Sequence, residues 1–71
     1  MALAKDWFIE TFDSLIEKEI TIFFDNGDDI RGKLRGASFD KDCLILSAND
    51  GKKAIVYLKN VNMILEAPVN L

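Results

Sequence analysis

Ile20-Thr21-Ile22-Phe23-Phe24-Asp25-Asn26-Gly27-Asp28-Asp29-Ile30-Arg31-Gly32-Lys33-Leu34-Arg35 is the stretch from which the fold can be read. Its first five residues are β-branched or aromatic and partly alternate, as suits a pleated, half-buried strand. Asn26-Gly27 then stands between two strand-like runs. Both residue types tolerate positive φ, so a hairpin is expected here. From Ile30 to Arg35 apolar and basic residues alternate, the pattern of a strand wet on one side. Gly32 and Gly36 lie in or near this second strand and predict a sharp bend or a bulge. Bending of that kind lets a short sheet curl into a barrel.

Downstream, Cys43-Leu44-Ile45-Leu46 reads as a third strand buried on both faces. Ala48-Asn49-Asp50-Gly51 is a second turn of the Asp-Gly type. Ala54-Ile55-Val56-Tyr57-Leu58 is a fourth strand and Val61-Asn62-Met63-Ile64-Leu65 a short fifth, joined tightly at Lys59-Asn60. Pro68 ends regular structure, leaving 67–71 as a loose tail. Upstream, Leu3, Trp7, Phe8, Phe12, Leu15 and Ile16 recur at three- and four-residue steps, so residues 3–17 are expected to form one amphipathic helix. Trp7 and Phe8 are expected to cap the core, and Ile9, off the apolar stripe, would mark a contact if exposed. The whole, 1–71, reads as a single mainly β domain: a small, strongly bent, five-stranded antiparallel barrel with an N-terminal α-helix. Such a barrel keeps two strand edges, and an apolar edge is an aggregation hazard unless another chain covers it. The fourth and fifth strands are the candidates for subunit pairing.

The totals agree with an oligomer. A chain of 71 residues buries a limited share of its surface and is marginal alone. Cys43 is the only cysteine and there is no histidine, so neither an intrachain disulfide nor a thiolate-rich zinc site can supply stability. Contact with copies of itself is the remaining source. The net charge of −3 argues against wholesale wrapping of nucleic acid, though not against a local basic ring. The opening Met-Ala-Leu-Ala-Lys-Asp lacks the apolar core of a secretion signal, no apolar run reaches membrane-spanning length, and a free cysteine suits a reducing interior. A cytoplasmic protein is expected.

With these elements in order, the chain resembles the Sm-like (LSm) superfamily, most closely its bacterial Hfq branch, over roughly residues 5–65. Ile20 to Gly27 with Ile30-Arg31-Gly32 is similar to the family's first strand, Asn-Gly turn and glycine-bent second strand. Phe39-Asp40-Lys41 is similar to the aromatic-Asp pair that closes the first Sm motif. Val56-Tyr57-Leu58-Lys59-Asn60-Val61 is similar to the Tyr-Lys-His-Ala-Ile stretch of Hfq. The resemblance implies an SH3-like barrel assembled as a homo-oligomeric ring of five to seven subunits, the fourth strand of one pairing with the fifth of the next through Ile55, Val56, Tyr57, Val61 and Met63. It also implies single-stranded RNA at the pore, through Phe39, Lys41, Asp42, Lys59 and Asn60, in an RNA chaperone or processing scaffold. The chain departs from the pattern at the reading positions. One alignment puts Asp42 where Hfq has a stacking aromatic, another puts it at the base-reading Asn of the Sm motif, and the Lys-His pair becomes Leu58-Lys59.

Chemistry on the residues is sparse. Lys59 is either a solvated turn residue or, repeated round a ring, part of a collar of ammonium groups, which binds phosphate with steep salt dependence. Phe39 is either a stacking platform or a core residue. Arg31, Lys33 and Arg35 share a face and form either a basic patch or the wet side of a strand. Asp25, Asp28 and Asp29 lack the spacing of a calcium loop and suit a turn. Cys43 sits in an apolar strand with no histidine to activate it, and no carboxylate pair marks a cleft, so no catalytic residue, cofactor or metal is expected. The rival to an RNA-binding ring is a structural or protein-interaction ring without RNA reading, favoured by the acidic balance, Asp42 and Leu58.

Overall fold

The computed structural model describes residues 5–66. The elements run α1 (Lys5–Asp13), β1 (Glu19–Phe24), β2 (Asp29–Ser38), β3 (Cys43–Ala48), β4 (Lys53–Tyr57), a 3₁₀ turn (Leu58–Asn60) and β5 (Val61–Glu66). The expected helix and five strands are all present, joined in one antiparallel sheet of order β4-β3-β2-β1-β5. Among the described residues no helix is long and apolar enough to cross a membrane. The expectations for Leu3, Pro68 and the tail 67–71 fall outside the described residues.

Strand β2 makes this shape. Its first half, Asp29–Lys33, pairs with β1, and Gly32–Ser38 pairs with β3. The ladder to β3 shifts between Leu34 and Gly36, leaving Arg35 as the extra residue of a bulge. At Gly32 the two backbones close in: a Cβ there would stand 2.7 Å from the Ser47 carbonyl oxygen. The sheet therefore folds over on itself, and its inner face collects Ile20, Ile22, Leu34, Leu44, Leu46 and Val56, closed at one end by Phe8 and Phe12. Leu44 is wholly buried at the centre. Leu44→Ala is expected to lower stability by about 2–5 kcal/mol, read from the midpoint of urea unfolding.

Both Gly-containing turns take a longer form than the two-residue hairpin the dipeptides suggest. Phe24 and Ala48 each accept a bond from a glycine amide three residues on (3.0 Å in both), and each donates to the carbonyl of the residue after that glycine (2.8 Å in both). Within these two turns only Gly27 and Gly51 carry a positive φ, +94° and +83°. This is the three-residue loop with a glycine bulge. In the first, Asn26 Oδ1 accepts the Asp28 amide at 2.9 Å and its Nδ2 donates to the Asp28 carboxylate at 3.1 Å, so turn chemistry already uses these side chains.

The N-terminal helix differs from expectation in length and in its buried face. It ends at Asp13, not at residue 17. Beyond it Leu15, Ile16 and Lys18 each donate to a carbonyl three residues back, Ser14 Oγ occupies the Thr11 carbonyl at 2.7 Å, and Glu17 turns left-handed (φ 69°). The Glu17 amide then bonds to the Leu34 carbonyl at 2.8 Å, and the Leu34 amide to the Lys18 carbonyl at 3.0 Å. Pairing with β2 thus outcompetes further helix, while Leu15 and Ile16 still reach the core from the turn. Phe8 and Phe12 bury together, ring centroids 4.7 Å apart, but Trp7 does not cap the core: half its surface (51%) is exposed. One helix face cannot turn Trp7 and Phe8 inward together, and the i, i+4 pair of phenylalanines takes the inner position. Ile9 is exposed as well.

The outer strands β4 and β5 do not pair with each other. Ile55 and Tyr57 point outward from β4, and Met63 and Leu65 from β5. Val56 belongs to the core, at 5% exposure, and Val61 packs partly against it. Of the five interface candidates, Ile55, Tyr57 and Met63 present side chains outward. Val56 leaves only its backbone for a neighbouring strand.

Candidate nucleic-acid interface

The β2–β3 loop and the β4–β5 turn are far apart in sequence but meet in the fold. Pairing of β3 with β4 sets Cys43 opposite Tyr57, which brings the residues beyond each strand end together. The Leu58 amide donates to the Asp42 carbonyl at 2.9 Å and ties the two segments. Asp42 itself is left-handed (φ 53°), a conformation aspartate tolerates better than most side chains, and its amide donates to the Phe39 carbonyl at 3.2 Å. Ser38 Oγ accepts the Lys41 amide at 3.2 Å, which fixes the start of the loop.

Lys41, Asp42, Tyr57 and Lys59 line the resulting open cleft, of about 310 Å³. On the other side of Tyr57 lies a second cleft, of about 460 Å³, lined by Phe24, Asp25, Asn26, Ile55, Val56, Tyr57 and Asn60. The Asp25 amide bonds to the Asn60 carbonyl at 3.0 Å and holds the hairpin turn against the 3₁₀ turn. The fold thus brings together Lys41, Asp42 and Lys59, with Asn60 next door. Phe39 faces elsewhere. It is partly buried, edge-on to Phe8 at 5.4 Å, and lines a hollow under α1 with Ile9, Ala37 and Asp40. The core role for Phe39 is the one its packing fits. The aromatic surface beside the lysines belongs instead to Tyr57, 57% exposed, a residue expected only at the subunit interface.

Charge is distributed unevenly. Arg31 pairs with Glu19 at 3.2 Å, and one guanidinium nitrogen of Arg35 contacts both carboxylate oxygens of Glu17 at 2.9 and 2.6 Å. Lys18 pairs with Glu66 at 3.2 Å. The basic row on β2 is therefore largely neutralised by its neighbours, the wet side of a strand, with each exposed pair worth about 0–1 kcal/mol. Among the described residues Lys41, Lys59 and Asp42 make no ion pair, and no side-chain hydrogen bond engages the Asp42 carboxylate. Two unspent ammonium groups, an exposed phenol ring and a free carboxylate can together hold a phosphate, a flat apolar ring and a polar ring edge. The described residues hold no cluster of three or more His, Cys, Asp or Glu placed to share a metal ion.

No family model and no curated protein matches the sequence. Solved structures do match the fold. The pleiotropic translational regulator Hfq superposes with a TM-score of 0.65 at 25% identity, over 84% of this chain and 93% of that one. A chain from a structure of the Dcp1:Dcp2 mRNA decapping complex, activated by Edc3 and Scd6, superposes with a TM-score of 0.76 over 99% of this chain. The two are 13% identical, and this chain spans 66% of the other's length.

Proposed function

This chain has the Sm-like fold, and on that premise we propose that it forms a homo-oligomeric ring that binds single-stranded RNA and performs no bond chemistry. The observation that carries the reading is the cleft that Lys41 and Lys59, without ion-pair partners among the described residues, share with the exposed ring of Tyr57. Assembly follows from the two unpaired edges: β4 of one subunit adds to β5 of the next, with Ile55 and Met63 covered at the joint and Val61 beside them. Tyr57, at the end of β4, stands where that joint meets the cleft. A closed ring has no free sheet edge, and it sets the clefts in a circle, so that weak phosphate contacts act together. Lys41 and Lys59 hold phosphates, Tyr57 stacks a base, and Asn60 offers an amide to the strand as it leaves the cleft. A cytoplasmic setting fits the free buried thiol of Cys43.

A second reading, a ring that binds protein only, is favoured by one feature. Trp7, Thr11 and Leu15, none of them at the proposed joint, form the α1 wall of an apolar groove of about 560 Å³ between α1 and β5 whose lining includes no lysine. Fluorescence anisotropy with labelled RNA separates the two readings. Lys41→Ala combined with Lys59→Ala is expected to weaken RNA binding by about tenfold or more at low salt and to flatten its salt dependence, with oligomeric mass unchanged. Unchanged affinity would remove the cleft from the account. No RNA binding by the unmodified protein would leave the protein-only ring.

A further inference from the structure

Asp42 is the one group in the cleft that repels phosphate, so any RNA group it contacts is a hydrogen-bond donor rather than the backbone. We propose that Asp42 reads the base held in this cleft and selects guanine. The inference rests on the RNA-binding reading of the same cleft and adds to it a preference for one base.

Asp42 is fixed at its backbone, with its amide on Phe39, its carbonyl on Leu58 and its φ in the left-handed region. A residue pinned at both backbone groups presents its side chain in a restricted direction. Its carboxylate has no hydrogen-bond or ion-pair partner among the described residues, although two lysines line the same cleft. A carboxylate only accepts hydrogen bonds, and both its oxygens can do so side by side. Guanine alone among the four bases presents two adjacent donors, N1–H and the N2 amino group, on its Watson–Crick edge. They match a carboxylate in the same bidentate, charge-assisted manner as a guanidinium. Uracil presents a single donor, N3–H, between two carbonyl acceptors, which face the carboxylate with like polarity. Adenine and cytosine each offer one amino donor beside an acceptor nitrogen. Tyr57 supplies a stacking face for the larger purine ring, while Lys41 and Lys59 take the flanking phosphates. A site built to accept two hydrogen bonds rejects a base that leaves the carboxylate unpaired.

The test compares labelled U-rich pentanucleotides that differ only at the central base: guanine, inosine or uracil. Anisotropy is read with the intact oligomer. The guanine strand is expected to bind about 5- to 150-fold tighter than the uracil strand, the range of a good bidentate base contact. Inosine, which lacks the N2 amino group, is expected to fall between them. Asp42→Asn is the second arm. Asparagine accepts the same left-handed backbone, and its amide can donate to a uracil carbonyl while accepting from N3–H. The preference is expected to shift toward uracil in that variant. Equal affinity for the guanine and uracil strands, or a guanine preference untouched by Asp42→Asn, would overturn the assignment while RNA binding itself stands. Failure of every strand to bind would overturn the parent reading and this one with it.

Discussion

Gly32→Val is expected to unfold most of the protein under native conditions, whereas Gly36→Ala, four residues further along the same strand, is expected to change stability by no more than about 0.5 kcal/mol. The difference lies in what each new side chain meets. At Gly32 the nearest atoms belong to backbone: the Ser47 carbonyl oxygen at 2.7 Å, its carbon at 3.2 Å and the Ala48 Cα at 3.4 Å. Backbone cannot rotate aside as a side chain does, so any Cβ must push β2 from β3. That movement breaks ladder hydrogen bonds at the bend on which the sheet's curvature depends. Overpacking alone costs about 1–3 kcal/mol, and a branched side chain against fixed backbone belongs above that range. A domain of this size has only a few kcal/mol to lose. At Gly36 a Cβ meets only the tip of Ile45, at 3.9 Å, which is ordinary contact. Far-UV circular dichroism and urea unfolding of the two variants measure the contrast. Equal losses at both positions would show that the close approach at Gly32 does not hold the bend.

The second large effect concerns assembly. Ile55→Asp is expected to yield a folded chain of single-subunit mass, whereas Val56→Asp unfolds the chain. Ile55 is 58% exposed on the outer side of β4, so a carboxylate there stays hydrated in the isolated chain. In the proposed ring the same position is covered by the neighbouring β5, and an unpaired charge at such a joint costs several kcal/mol per subunit. Val56 is 5% exposed within the core, and a charge there has no water to reach. Both substitutions are expected to remove the proposed ring, but only the first through the interface. Sedimentation of Ile55→Asp with its circular dichroism spectrum decides the matter. A native spectrum with undiminished oligomeric mass would count against pairing through β4.

The strands and the places of the turns, though not the turns' length, are legible because each is written in local chemistry: β-branched runs, two turn glycines and the bend at Gly32. The end of the helix is not. Leu15 and Ile16 continue its apolar spacing, and only the bond from the Glu17 amide to Leu34 stops it, a contact invisible to periodicity. Trp7 and Phe8 look equivalent in sequence, and which one turns inward is settled by Phe12 and Phe39. The candidate site was half legible. Lys41, Asp42 and Lys59 were found from motif resemblance, and the fold sets them around one cleft. The place of Tyr57 in the cleft is not legible, because alternation describes a residue's face but not what lies past the end of its strand. Phe39 carried the right chemistry for stacking but is partly spent on Phe8.

The most direct test of the account is sedimentation velocity with fluorescently labelled single-stranded RNA and the unmodified protein, at low and then near-physiological salt. The label is expected to sediment with a species of five to seven chains at low salt, and the bound fraction is expected to fall as salt rises. RNA that sediments alone at low salt, or with a single chain, would contradict it.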